Sequence, residues 1–440
     1  MIGGIRSLLE YILSVVRVFC LFLIALFIPR LFIHYVSSPA QNSEQVDAQS
    51  PALKLGLENL TDDFLKNLTP HGKKPYRVGL ITNHTGKDQA GIRNIDILLN
   101  KGLNLKVIFT PKHGFNADKS DSQELAEGLA ECTDASTKIP IVCWSSSVPK
   151  MAKNMKSIDV LFFDIQDSGI RHGYATTLLE VMKTVSYYRK KLVILDRPNL
   201  LGSCMEGSLS GTEQVSSLSL PLPIRHGMTL GELAVFFNKN ILERAVMLCV
   251  IPMENYTRHA PMPGQVITKL SPNLSNVSAC YGYSFLGLLG EIAPFDIGIN
   301  SEHAFQCLLL PDALGLPKQT WYNLQELLKE HGVKSSFYRV FNERKKQPYS
   351  GLKIEVKNID TFAAFSTMLA VVDFFKDSGI KLSFSKKFDA LVGTTKVREF
   401  FGNVIDRKTL EEEVNANLVC FFTKAMSSFI YKPLPQVVRV

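Results

Sequence analysis

Apolar and polar positions along the chain alternate between strand and helix periods from about residue 75 onward. Tyr76–Thr82 is a β-branched apolar run closed by the turn residues Asn83-His84-Thr85-Gly86, which predicts a strand followed by a tight turn. Ile92, Ile95, Leu98 and Leu99 recur at helical spacing, and Leu105–Phe109 predicts a second strand. Ile139–Cys143 predicts a third, Ile158–Phe163 a fourth and the most apolar, Tyr174–Tyr188 a helix, and Leu192–Leu195 a fifth strand. Continuous apolar strands separated by helices indicate a parallel sheet covered on both faces. The expectation is an α/β, Rossmann-like domain over residues 53–255. Further on, Thr229 reads as a helix N-cap with Glu232 as its capping-box partner. Ser271-Pro272-Asn273 and the aromatic-glycine run Tyr281–Gly290 read as loops that could wall a cleft. Leu352–Val356 alternates as a strand, while Phe362–Phe375 and Phe388–Phe401 read as helical. A smaller α+β carboxyl-terminal domain is therefore expected over 256–440, with the boundary between 255 and 300.

The amino-terminal pattern is different. Val18–Pro29 is apolar and uncharged between Arg17 and Arg30, with largely apolar flanks at Leu8–Val16 and Leu31–Val36. Residues 1–36 thus suit a signal peptide or a membrane anchor, with Arg17 snorkelling in the second case. Residues 37–52 read as a polar linker. Export is expected, to the periplasm or to an anchored position facing it. No second uncharged run approaches the roughly 20 residues a spanning helix needs, which excludes a multi-span membrane protein.

Composition narrows the classes further. The 440 residues are 46% hydrophobic and 20% charged, which excludes wholesale disorder. The net charge of +8 is spread along the chain without basic-aromatic interleaving, so nucleic acid is not an expected partner. Eight cysteines without CxxC spacing indicate neither a zinc site nor a disulfide scaffold.

Polar residues cluster where the predicted strands end: Thr82, Asn83 and His84 after the first, Lys112 and His113 after the second, Asp164, Gln166 and Asp167 after the fourth, and Asp196, Arg197 and Asn199 after the fifth. Ligands bind at the carboxyl ends of open parallel sheets, so a cleft is expected there. The chain carries no GxGxxG after the first strand, no GxxxxGK[ST], no GxSxG and no HExxH. Nucleotide cradles, serine hydrolase chemistry and a zinc protease are thereby unsupported. Asp164-x-x-Asp167 offers a hard cation two carboxylates and little else. Asn, Gln, His, carboxylate and Arg groups together suit sugar hydroxyls and a sugar acid. Such a shared sugar cleft requires His84, His113, Asp164, Asp167, Arg171 and Arg197 to line one cavity.

Several motifs then occur in order: Gly79–Gly86, Pro111-Lys112-His113-Gly114-Phe115, Asp159–Arg171, Leu195-Asp196-Arg197-Pro198-Asn199, Glu206-Gly207, Arg225-His226-Gly227-Met228-Thr229 and Phe388–Thr394. From about residue 53 to the carboxyl end the chain resembles the bacterial NamZ/YbbC-like family of exo-acting β-N-acetylmuramidases, as a divergent member. The resemblance implies hydrolysis of terminal N-acetylmuramic acid from peptidoglycan fragments, no cofactor, and muropeptides as partners. It implies catalytic carboxylates among Glu291, Asp164, Asp167 and Glu206. Substrate-binding residues would come from Asn83, His84, Lys112, His113, Gln166, Arg171, Tyr174, Asp196, Arg197, Asn199, Arg225 and His226.

This chain departs from the family at the chemistry. The usual Glu-His-Gly stands here as Lys112-His113-Gly114, and a lysine with a pKa near 10.4 is a poor donor to a glycosidic oxygen. The family's Gly-Arg-Gly-Thr segment is shortened to Gly290–Phe295, and the aromatic run after the arginine is reduced to Arg171-His172-Gly173-Tyr174. Three readings stay open: an exported muramidase, a catalytically degenerate muropeptide-binding protein, and an envelope scaffold.

Overall fold

The computed structural model describes residues 52–68, 74–111, 114–116, 132–144, 148–210, 220–259 and 269–440. The expected export segment and polar linker, and the Lys112-His113 pair, lie outside the described residues. Ala52–Val440 forms one compact unit.

Its centre is a seven-stranded sheet. After helix α1 (Asp62–Leu68) come strand β1 (Arg77–Thr82), helix α2 (Asn94–Asn100), β2 (Asn104–Thr110), β3 (Cys132–Thr133), β4 (Pro140–Cys143) and helix α3 (Val148–Ser157). They are followed by β5 (Val160–Asp164), helix α4 (Tyr174–Tyr187), β6 (Lys191–Leu195), the short β7 (Cys204–Glu206) and β8 (Arg225–His226), helix α5 (Leu230–Asn240) and β9 (Met247–Ile251). The order across the sheet is β3-β4-β2-β1-β5-β6-β9, parallel throughout except for the β3–β4 edge. Ranked by chain position, the parallel strands stand in the doubly wound order 3-2-1-4-5-6. The order reverses between β1 and β5, so the carboxyl ends of these two strands flank the switch point.

Alternation along the strands explains the two covering layers. Val78, Leu80, Val160, Phe162, Val193 and Leu195 point into one core with α1 and α2. Ile81, Leu161, Phe163, Leu192 and Ile194 point into the other, against α4 and α5. Each such side chain removed from water contributes about 1.5–3 kcal/mol, which fixes register as firmly as the backbone ladder does. The N-terminus of α5 is closed as the sequence predicts: Thr229 and Glu232 form a reciprocal capping box.

The second half is antiparallel and helical. It comprises α6 (Val277–Leu289), β10 (Ile292–Ala293), β11 (Cys307–Pro311), α7 (Lys318–Glu330), β12 (Val333–Asn342), β13 (Gln347–Val356), α8 (Ala364–Asp377), β14 (Ser383–Phe384), α9 (Phe388–Val392), α10 (Lys396–Phe401), α11 (Arg407–Ala425) and β15 (Gln436–Val437). Strands β11-β13-β12 form an antiparallel sheet, and β15 returns to pair with β7 beside β8. The main hydrophobic core runs without interruption from Ile81 to Ala425, through the interval where the sheet type changes.

One expected element is corrected. Tyr281–Gly290 is not a loop; most of it belongs to helix α6, whose N-cap Asn276 accepts from the Ala279 N–H. Its glycines serve close packing: a Cβ on Gly282 would stand 1.8 Å from the Phe305 carbonyl oxygen. Among the described residues no helix is long and apolar enough to cross a membrane, and the seven described cysteines are all free.

Candidate active site

The loops at the carboxyl ends of β1, β5 and β6 are held by one buried ion pair. Arg197 grips Asp164 with both nitrogens, Nε to Oδ1 at 2.5 Å and Nη2 to Oδ2 at 3.1 Å. Asn94 adds a bond from Nδ2 to Asp164 Oδ2 at 2.8 Å and another to Thr82 Oγ1 at 2.7 Å. Arg197 also donates to the Lys87 carbonyl at 2.9 Å. Asp164 is fully buried and its oxygens are engaged, so this pair fixes the scaffold beneath the site.

Above it lies a cleft of about 280 Å³. Pro111 follows β2, Trp144 follows β4, and Asp167, Ser168, His172 and Gly173 follow β5, while Tyr174, Thr176, Thr177 and Glu180 belong to α4. The facing wall is Leu270–Leu274 with Tyr283 and Phe305. Ser271, Pro272, Asn273 and Tyr283 are therefore wall residues, as their sequence suggests. Aromatic faces combined with a few polar groups make a surface suited to a sugar ring, whose C–H edges are apolar and whose hydroxyls are not.

Asp167 is the buried carboxyl of this cleft. Its Oδ1 accepts from the Tyr174 N–H at 2.7 Å and its Oδ2 from the Gly169 N–H at 2.9 Å. The first bond satisfies the open N-terminus of α4. A Cβ on Gly173 would come 2.4 Å from Asp167 Oδ1, so this approach requires glycine. Burial raises the Asp167 carboxyl above its ordinary value, against the pull of those N–H groups toward the ionised form. Beside it, His172 Nε2 pairs with the Leu391 carbonyl at 2.7 Å, which assigns the proton to Nε2 and leaves Nδ1 an acceptor. Burial pushes this imidazole down to about 3, so it is neutral at pH 7. Arg171, fully buried, donates to the carbonyls of Ser208, Leu222 and Leu391. A cation solvated only by peptide dipoles leaves a positive field beside the cleft.

Among the described residues the expected common cavity does not form. Asp167 and Tyr174 line the cleft; Asp164 and Arg171 are packed away from it because each must meet its partners in a water-free interior. Arg197 and Asn199 meet Asp167 only at a separate cavity of about 10 Å³. Asn199 bridges the Met228 carbonyl and the Leu201 N–H. Asn83 donates to the Tyr174 hydroxyl at 3.0 Å, one step behind the cleft. Gln166 donates to the carbonyls of Asp167 and Pro198, and His84 to the Lys269 carbonyl. His113 and Lys112 lie outside the described residues.

Other candidates have structural work. Glu206 is buried, pairs with Arg225 at 2.5 Å, and accepts from the Ala364 and Phe365 N–H groups at the start of α8. Arg225 also donates to the carbonyls of Leu201, Ile359 and Phe362. His226 is fully buried, with Nδ1 accepting from the Met228 N–H at 3.2 Å. Glu291 accepts from Ser385 on a neighbouring turn. The sequence singled out neither Trp144, Thr176, Thr177 and Glu180 nor Phe305 as site residues. The helical spacing of Thr176, Thr177 and Glu180 behind Tyr174 was the available signal.

Asp196 ties the tail to the sheet end: it accepts from the hydroxyls of Thr229 and Tyr431, each at 2.7 Å, and from the Gly231 N–H at 2.8 Å. Burial pushes its carboxyl up to about 6 from 3.8. A raised folded pKa means the native state binds the proton more tightly than the unfolded chain. This contribution to stability is therefore full below about pH 4 and is lost as pH rises toward 6. Thermal unfolding of Asp196→Asn should show a flatter pH dependence in that window than the parent.

Among the described residues no cluster of three or more His, Cys, Asp or Glu side chains is placed to hold a metal ion. Asp164 is held by Arg197 and Asn94, and each Asp167 oxygen accepts one backbone N–H.

Residues 78–278 match the family described as exo-beta-N-acetylmuramidase NamZ, N-terminal. The chain is 28% identical over 372 residues to the peptidoglycan beta-N-acetylmuramidase NamZ of Bacillus subtilis (strain 168), covering 82% of this chain and 87% of that protein. Two DUF1343 family crystal structures from Bacteroides fragilis NCTC 9343 share the fold. One has a TM-score of 0.72 at 24% identity and the other 0.63 at 26%, each covering 86% of this chain and 99% of its own. The ordered motifs at the sheet's carboxyl edge and these matches agree: over most of its length the chain is similar to the NamZ family.

Proposed function

We propose that this protein is a glycosidase that releases a terminal β-linked N-acetylmuramic acid from peptidoglycan fragments. The observation that carries the proposal is the buried Asp167 on the wall of a cleft lined with Trp144, Tyr174 and Tyr283. Burial favours the acid form of this carboxyl, and that is the form a glycosidic oxygen needs as its proton donor. A volume of about 280 Å³ lies near the lower end of ligand pockets, which favours one terminal ring over an internal stretch of polymer. The positive field of Arg171 suits the lactyl carboxylate that distinguishes muramic acid from its neighbour sugar. The named activity of the Bacillus subtilis relative supports the same chemistry.

The place of action we propose is outside the cytoplasm, on the strength of the apolar segment Val18–Pro29 and its arginine flanks. That segment either is cleaved or holds the protein to the membrane. A binding protein without turnover is the second reading, favoured by Lys112 in the Lys-His-Gly motif.

The test is a chromogenic β-N-acetylmuramide incubated with the parent and with Lys112→Glu. Release by the parent supports the glycosidase. A silent parent that gains turnover in Lys112→Glu establishes the binding protein, and silence in both rules out hydrolysis of this linkage.

A further inference from the structure

Two carboxylate residues line the cleft among the described residues, Asp167 and Glu180. They differ in burial. Asp167 is buried and its oxygens receive backbone N–H groups; Glu180 is exposed on α4, on the same helix face as Thr176 and Thr177. Both residues are referenced to one rigid element, because Asp167 binds the N–H of Tyr174, the first residue of α4. Glu180 stands six residues further along. At 1.5 Å per residue its Cα lies about 9 Å along the axis from that of Tyr174. Helical side chains lean back toward the N-terminus, the end of α4 at which Asp167 sits, and both carboxyl residues line the same cleft.

We infer that Glu180 is the second catalytic carboxylate of this cleft, activating the attacking water while Asp167 protonates the leaving oxygen. This rests on the glycosidase function proposed above. In the step, the Asp167 proton passes to the glycosidic oxygen, and the C1–O bond breaks with its electron pair left on that oxygen. The water oxygen bonds to C1 and its proton passes to Glu180. The products are the shortened glycan with a free hydroxyl and N-acetylmuramic acid as a hemiacetal. One proton exchanged with solvent returns Asp167 to the acid and Glu180 to the carboxylate. With a water as the attacking nucleophile the displacement is direct and inverts C1, so a β-linked substrate yields the α-anomer first.

Glu180 is exposed, and thermal unfolding of each variant serves as the control for folding. The experiment compares the parent with Glu180→Gln and Glu180→Ala on a β-N-acetylmuramide, reading kcat and KM separately, the first-formed anomer by proton NMR, and recovery with sodium azide. The expected result is a fall in kcat of about 10²–10⁴-fold in Glu180→Gln, with KM within about threefold. Glu180→Ala should recover turnover in azide and form a glycosyl azide, since the small anion replaces the base-activated water. Activity in Glu180→Gln close to that of an active parent overturns this role and leaves the glycosidase standing. So does a β-anomer formed first. A parent that turns over no muramide removes the glycosidase and this role together.

Discussion

Replacing Asp167 with Asn is expected to lower kcat on a β-N-acetylmuramide by about 10²–10⁴-fold, the usual contribution of a positioned general acid. Asparagine has the shape of aspartate and keeps an acceptor oxygen for the Tyr174 N–H, so the turn into α4 survives. What it cannot do is give up a proton to the glycosidic oxygen. KM should change little, because the walls formed by Trp144, Tyr283 and Asn273 are untouched. The pH profile carries a second signature. Burial raises the Asp167 carboxyl, so the acid form persists above the ordinary aspartate range, and parent activity falls as pH rises through that raised value. The residual activity of Asp167→Asn should lack this limb. Steady-state kinetics across pH, with thermal unfolding as the control for folding, check both points. Unchanged kcat in a folded variant would remove Asp167 from the chemistry.

The largest stability effect is expected from Glu206→Ala. Arg225 and Glu206 are 0% and 2% exposed at their side chains, and removing the carboxylate leaves a guanidinium in the core with only carbonyl partners. Breaking a buried pair from one side costs about 3–5 kcal/mol, mostly because the remaining charge is uncompensated. Two N–H groups at the start of α8 also lose their acceptor. Chemical denaturation should show the loss as a lower midpoint with an unchanged slope. Glu206→Gln should lose less, since an amide oxygen still accepts from α8. A Glu206→Ala protein as stable as the parent but catalytically silent would return Glu206 to the list of catalytic candidates.

The sheet was legible in the sequence because its strands are buried on both faces, and burial on both faces writes an uninterrupted apolar run. Tyr76–Thr82, Leu105–Phe109 and Ile158–Phe163 all fall on observed strands. The ten-residue β12 left no such mark: Phe337 and Phe341 are more than half or half exposed, and its polar residues are interspersed among them. Helix α6 was hidden for the opposite reason. Its glycines look like loop residues until Phe305 is seen to press against Gly282.

The site was half legible. The described strand-end residues lie on the sheet's carboxyl edge, but the sequence does not say which of them face the cleft and which hold the loops. Asp164, Arg171, Arg197, Glu206 and Arg225 carry the charges that attract attention, and all are buried in pairs or carbonyl cages. The cleft itself is built largely from Trp144, Tyr283, Phe305 and the exposed Glu180. Their approach depends on tertiary packing across more than a hundred residues of chain.

The claim that this cleft receives N-acetylmuramic acid can be read from tryptophan alone. The chain has two tryptophans: Trp144 on the cleft wall, and Trp321 in the core against Phe375. Titrating the full-length, ¹⁵N-labelled protein with N-acetylmuramic acid, and following the two indole N–H cross-peaks, separates the cleft from everything else. The Trp144 cross-peak should shift saturably while that of Trp321 stays fixed, with a weaker response to N-acetylglucosamine, which lacks the lactyl carboxylate. A Trp144 cross-peak that stays fixed at saturating N-acetylmuramic acid would contradict the assignment of this cleft.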